Sequence, residues 1–503
     1  MYPSRVGHLA SPTIKSRPRW AADVLKTGKC FTRGKGPRKV AGLTVFSGGT
    51  PAVDNLTLES TYLYSTIYFQ NDHMSVDSIT GRRPEKIMCP SCWEYFSLED
   101  VLWFARFHKE IEPDPFLTEY DSIRFLPEHF TPSGKAICEN GDECELLACP
   151  HCHLEIPRSY LNSFPIVTSV VGGVGVGKSY YHATLVQWIR DSLKKNFGWH
   201  GELATYVHQR DGKRPGNEKL TDQAEILFPL RRLTEEEENV PVTLEKTDQD
   251  DNCQEVKRPT GPNGEMRMEK LIIPFIYDLI PSNGLLNVNE NSTSLYSVCL
   301  YDHAGENLRL GTDAVKLSQH LKTSNAIFFL YDPTYNGRFS KAMGYSGTTE
   351  TNQWDIPSNV FRNMKNMITN DVVAMIDVPL VVIVTKCDLW MHLLTPESQK
   401  NLMSNPWGSK SGVCSLSQST LRDVSVDIRN LMEKYDVSFV NDVEQFASDV
   451  LYVPVSATGN VKPEVGPDKV PRYKPHSLKP IWIGVPFLYV LARHRDRLIG
   501  MEP

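Results

Sequence analysis

The amino-acid sequence predicts an α/β fold, doubly wound about a mainly parallel sheet, with a small cysteine-bearing module ahead of it. Three observations carry that expectation. Short apolar runs recur through the second half of the chain, separated by segments of helical periodicity. One earlier run, with Ile166, Val167, Val170 and Val171, enters a glycine-rich turn that opens into an amphipathic pattern. Two Cys-x-x-Cys turns precede it.

The chain has 503 residues, enough for two or three domains and a full α/β core. A formal net charge of -6 gives no global case for nucleic-acid binding or membrane attraction. The longest apolar run, Ile481 to Ala492, holds 12 residues and contains Pro486, so it reads as a buried helix and not a membrane span. The N-terminus has basic residues but no apolar core of a signal peptide, so the expectation is a cytoplasmic protein. Its eleven cysteines are then reduced thiols or metal ligands.

Three regions are expected, taken in order. Residues 1–85 form a basic, partly disordered N-terminal region, whose first 40 residues carry ten Lys/Arg against Asp23 alone. This is either a solvated tail or a contact arm for nucleic acid or an acidic partner, through Arg33, Lys35, Arg38 and Lys39. Residues 86–160 hold Cys89-Pro-Ser-Cys92 and Cys149-Pro-His-Cys152 with 56 residues between them. Each C-x-x-C lets two thiolates grip one ion from a tight turn, and two such turns make a tetrahedral Cys₄ site. That predicts a zinc ribbon with a helical insertion at Val101 to Phe107. Two unrelated thiol pairs or a redox dithiol are the alternatives, and Cys138, Cys144, His151 and His153 lie close enough to supplement a ligand.

Residues 161–503 read as one α/β domain with a long polar insertion at about 198–267. The turn Gly172, Gly173, Val174, Gly175, Val176, Gly177, Lys178, Ser179, followed by Tyr180, fits G-x-x-x-x-G-K-[ST]. Glycines let the backbone curl and bring its N–H groups onto phosphate oxygens. Lys178 then reaches the β- and γ-phosphates, and the Ser179 hydroxyl holds Mg²⁺. Leu185, Val186, Ile189, Leu193 and Phe197 recur at helical spacing, so a helix N-terminus points at the anion.

Later strands are expected at Leu271 to Ile280, Leu295 to Tyr301, Ala326 to Tyr331, Leu380 to Val384 and Leu451 to Val455. Strand ends face the ligand in this fold, so the residues after them matter. Asp302, in Asp302-His303-Ala304-Gly305-Glu306, is placed to hold Mg²⁺ through water, and Gly305 to offer its N–H to the γ-phosphate. Thr385-Lys386-Cys387-Asp388 offers a carboxylate to the N1–H and exocyclic amine of guanine, with the Lys386 stem along the base. In Ser456-Ala457-Thr458 a backbone N–H can meet guanine O6.

GGVGVGKS, DHAGE, TKCD and SAT, in that order and each after a predicted strand, resemble the motifs of Ras-like GTPases of the translation-factor-related class. The resemblance covers about residues 164–495. The ribbon ahead of such a domain, with AGE in place of AGQ, resembles the double-GTPase family of bacterial conflict and defence operons. It implies a P-loop GTPase that binds GTP with Mg²⁺ and hydrolyses it to GDP and phosphate, alongside a companion GTPase or other protein effector. Two departures matter. Glu306 stands where such enzymes carry a water-orienting Gln, so slow hydrolysis without a partner's arginine is expected. The switch threonine over Mg²⁺ is Thr243 or, nearly as well placed, Thr247.

Three rivals follow from the same residues. A nucleotide-gated binding module would turn over little or not at all. An ATP-using enzyme is opposed by Thr385-Lys386-Cys387-Asp388. Nucleic-acid contact through the ribbon and basic tail is not helped by the acidic balance.

Overall fold

Wholly apolar pentamers and hexamers such as Leu380-Val-Val-Ile-Val384 need cover on both faces, and they form interior strands of one large sheet. In the computed structural model the described residues are 86–106, 114–117, 122–206, 216–244, 252–259, 265–282, 295–303, 319–345, 356–369, 375–409, 412–468 and 470–503. The sheet has seven strands: β1 (Ser163–Gly172), β2 (Trp199–Leu203), β3 (Phe275–Pro281), β4 (Leu295–His303), β5 (Ala326–Tyr331), β6 (Leu380–Val384) and β7 (Val450–Pro454). They lie in the order β2-β3-β4-β1-β5-β6-β7. β4, β1, β5, β6 and β7 are parallel, while β3 runs antiparallel to both its neighbours. The architecture is a mixed α/β fold with a large, mostly parallel sheet.

Helix α1 (Lys178–Trp188) leaves the glycine turn, passes through a π-helical stretch at Ile189–Leu193 and stops at Gly198, whose φ of 72° closes it. The predicted stripe of Leu185, Val186, Ile189, Leu193 and Phe197 is buried throughout. Helix α2 (Gly216–Leu227) packs on α1, and α3 (Pro357–Thr369) and α4 (Gln418–Phe446) flank β1 and β7. Helix α5 (Val485–Arg493) is buried from Val485 to Ala492 with Pro486 in its first turn, as its apolar run predicts. Among the described residues no helix is long and apolar enough to cross a membrane.

Three expectations need correction. The insertion after α1 is not a polar appendage: it supplies β2 at the sheet edge and α2. β2 crosses α1 so closely that a Cβ on Gly201 would lie 2.7 Å from Ile189 Cγ2. Second, Leu271 to Ile280 is two strands. Pro274 interrupts it, so Met266–Ile272 pairs with Cys253–Pro259 in a separate hairpin and Phe275–Pro281 joins the sheet. Third, no helical insertion separates the two cysteine turns among the described residues, only a 3₁₀ turn at Leu98–Asp100. Leu102–Arg106 is a strand between Ser122–Phe125 and Leu147–Ala148. Its alternation explains this. Trp103 and Ala105 enter the module's core while the Arg124 guanidinium covers the Phe104 ring at 3.4 Å.

That core is shared. Val167, Ile276, Cys299 and Tyr301 project from one face of the sheet into it, beside Trp93, Trp103 and Tyr160. Ile166, Val170, Val298 and Leu300 project from the opposite face into the main core. The cysteine module therefore docks on β1, β3 and β4. Residues 1–85, with the predicted basic arm, lie outside the described residues.

Candidate functional site

The glycine turn follows from close approach. A Cβ on Gly172 would stand 2.9 Å from Val176 Cγ2 and 3.0 Å from Leu330 Cβ, so no side chain fits there. Gly175 and Gly177 take φ of 75° and 99°, conformations that favour glycine. Val174 is held by Tyr335, whose hydroxyl donates to its carbonyl at 2.6 Å. The Lys178 ammonium donates to the carbonyls of Gly172 (2.7 Å) and Gly173 (3.0 Å), inside the turn itself. Ser179 and Tyr180 follow in the first turn of α1, whose N-terminal N–H groups face the mouth of the loop.

Strand register brings Asp302 to the same place: it pairs with Val170 on β1, two residues before Gly172. Its side chain is buried, and Oδ1 lies 3.8 Å from Nε2 of His182 on α1. A cavity of about 10 Å³ opens between Ser179, His182 and Asp302, closed on its far side by Lys219 and Gln223 of α2. Ser179 and Asp302 are hard oxygen donors suited to Mg²⁺. His182, Lys219 and Gln223 belong to none of the sequence motifs. His182 had a signal, its position four residues after Lys178 on one helix face. Lys219 and Gln223 had none, because only the packing of α2 on α1 brings them here.

The residues predicted to read the base follow β6 and β7. Lys386 adopts φ of 54°, and its ammonium meets the buried Asp332 carboxylate at 2.6 Å. Thr385 is tied to β5 through its N–H and hydroxyl, both donating to the Tyr331 carbonyl. Asp388 sits in the next turn, where burial raises its pKa and the Ser456 hydroxyl opposes the rise. The Ser456 N–H is itself donated to the Ile481 carbonyl. Ser456 therefore supports Asp388 through its side chain, and Ala457 and Thr458 are the residues left for the predicted N–H contact.

Thr243 lies beside Tyr180 of α1. Val242 bridges Tyr473, the Tyr180 and Tyr473 rings meet edge to face, and the Thr243 hydroxyl is 3.2 Å from that of Tyr180. Thr247, Gly305 and Glu306 lie outside the described residues.

The cysteine cluster is a second, separate site. The Sγ atoms of Cys89, Cys92, Cys149 and Cys152 all lie within 4.8 Å of one another, and all four residues are buried. Cys89 and Cys152 are 3.8 Å apart and Cys92 and Cys149 3.7 Å. A tetrahedron of sulfurs about 2.3 Å from one ion has edges of about 3.8 Å. The two turns are built alike. Trp93 N–H donates to the Cys89 carbonyl and His153 N–H to that of Cys149, with φ of 67° and 60° at the two donors. His153 is turned away onto Asp114 at 2.6 Å, His151 Nε2 lies 3.3 Å from the Tyr95 carbonyl, and Cys138 and Cys144 sit on a separate hairpin. None of these four side chains joins the cluster, although the His151 backbone N–H donates to Cys149 Sγ at 3.3 Å.

No protein-family model matches this chain, and no curated protein does. Among solved structures it is similar to that of Sup35 complexed with GDP, with 12% identity and a TM-score of 0.20. The match takes in 61% of this chain and spans 41% of that one.

Proposed function

We propose that this chain is a Mg²⁺-dependent GTP-binding switch that hydrolyses GTP to GDP and phosphate, with Zn²⁺ held by Cys89, Cys92, Cys149 and Cys152. One observation carries the reading. The glycine turn, Asp302, Asp388 and Ser456, read separately from the sequence, lie at the C-terminal ends of four parallel strands of one sheet, β1, β4, β6 and β7.

The turn's N–H groups and the α1 N-terminus receive the phosphates. Lys178 exchanges the carbonyls of Gly172 and Gly173 for phosphate oxygens and stabilises charge moving to the β–γ bridge. Ser179 and Asp302 would hold Mg²⁺, with Thr243 closing over it, and the ion supplies charge neutralisation between the phosphates. Gly305 would contact the γ-phosphate and Glu306 the attacking water. Asp388 selects guanine, with Thr385 and Lys386 shaping its pocket and Ala457 or Thr458 meeting O6.

The test is nucleotide binding by the full chain. Lys178→Ala should abolish tight GTP binding, and GTP should displace labelled GDP where ATP does not. Unchanged affinity in that variant, or equal displacement by ATP, counts against the assignment. Glu306 favours a second reading, a nucleotide-gated binding module, because a carboxylate there repels the γ-phosphate. Multiple-turnover phosphate release, alone and with candidate partners, separates the two. The motif resemblance supports a place in a bacterial conflict system beside a companion GTPase.

A further inference from the structure

His182 is only 1% exposed, and neither ring nitrogen has a hydrogen-bond partner among the described residues. Buried polar groups are rarely left so, because an unmet donor is costly. The ring packs edge to face on Phe275 and on Tyr181, at 5.1 and 5.6 Å between centroids. A leucine or phenylalanine would fill that slot without burying two polar nitrogens. What the imidazole adds is aimed at one place: it lines the cavity of about 10 Å³ shared with Ser179 and Asp302, which has room for about one water-sized occupant. Its Nε2 stands 3.8 Å from Asp302 Oδ1.

We infer that His182 is a positioning residue for Asp302. Closing the gap by about 1 Å makes an imidazole N–H donate to Oδ1, which fixes the orientation of the carboxylate beside the Mg²⁺ site. The packing of α2 over this corner, through Leu220 and Gln223, keeps bulk water from competing for the same N–H. The inference rests on the reading of Ser179 and Asp302 as a Mg²⁺ site.

The experiment measures release of fluorescent GDP from the full chain against free Mg²⁺, with thermal melts in EDTA to check folding. His182→Leu should raise the half-saturating Mg²⁺ by about tenfold or more. His182→Gln, which keeps an N–H in the slot, should stay within about threefold of the natural chain. Release in excess EDTA should be the same for all three. Should H182L not fold, His182→Asn, too short to reach Asp302, takes its place with the same expectation. Wild-type Mg²⁺ dependence in H182L, or equal acceleration with and without Mg²⁺, overturns the inference and assigns His182 to packing. A natural chain whose GDP release ignores Mg²⁺ altogether overturns the metal site as well.

Discussion

The cysteine cluster and the residues around the glycine turn are both built on tight turns, but they are assembled differently. Each cysteine turn is local, closed by its own backbone bonds, and the four sulfurs already stand near tetrahedral spacing. The residues proposed to hold nucleotide draw on the ends of β1, β4, β6 and β7, and two lysines among them meet internal acceptors: Lys178 on Gly172 and Gly173, Lys386 on Asp332. The two meet at Tyr301. Its hydroxyl donates to the Pro90 carbonyl inside the first cysteine turn at 2.6 Å, and the next residue is Asp302. Its ring lies 4.8 Å from Trp93 and stacks on His320 at 4.9 Å.

The comparison breaks most readily at the cluster. Cys149→Ser, or a strong chelator, should destabilise the chain by more than the about 1–3 kcal/mol of an ordinary substitution, because metal binding there is folding energy. Thermal melts with and without chelator read this, and no response would remove the metal from the account. Asp388→Asn comes next. It should lower GTP affinity by up to about 10⁴-fold and favour xanthine nucleotides, with melting nearly unchanged. In the natural chain, GTP affinity should fall at the acid end at a higher pH than for an ordinary aspartate, since burial raises the Asp388 pKa.

The smallest effect lies at the seam of the two regions. Asp278 on β3 accepts from the Ser297 hydroxyl at 2.8 Å, and burial raises its pKa to about 6. The fold thus favours its protonated form. The stability this confers is full below about pH 4 and is lost as pH rises through about 6. Asp278→Asn should therefore stabilise the chain increasingly from pH 4 to 7, by up to roughly 3 kcal/mol, measured by denaturant unfolding at both ends. A gain independent of pH would place the strain elsewhere.

Much of this was legible in the residues. Ala326–Tyr331 and Leu380–Val384 are strands at their predicted bounds, because runs so short, apolar and rich in β-branched or aromatic residues fit a sheet covered on both faces. Gly172, Gly175 and Gly177 declared a turn that other residues resist. Other features were not legible. Leu102–Arg106 has too few residues to separate period two from period 3.6, and only its neighbours made it a strand. Trp199–Leu203 reads as polar loop, yet it completes the sheet edge by pairing with β3. The role of Ser456 changed because its N–H is spent on Ile481, a partner that no spacing reveals.

The sequence by itself determined the local devices: where the backbone must curl, which runs must be buried, and which four thiols lie in matching turns. These follow from sterics and hydrophobicity within a few residues. Only the tertiary structure decided that Asp302 stands beside His182, that α2 covers that corner, and that Tyr301 ties the cysteine turn to the strand ending there. Such neighbours are set by strand register and by packing between distant segments, where the gain comes from surfaces meeting and leaves no mark in the spacing of residues along the chain.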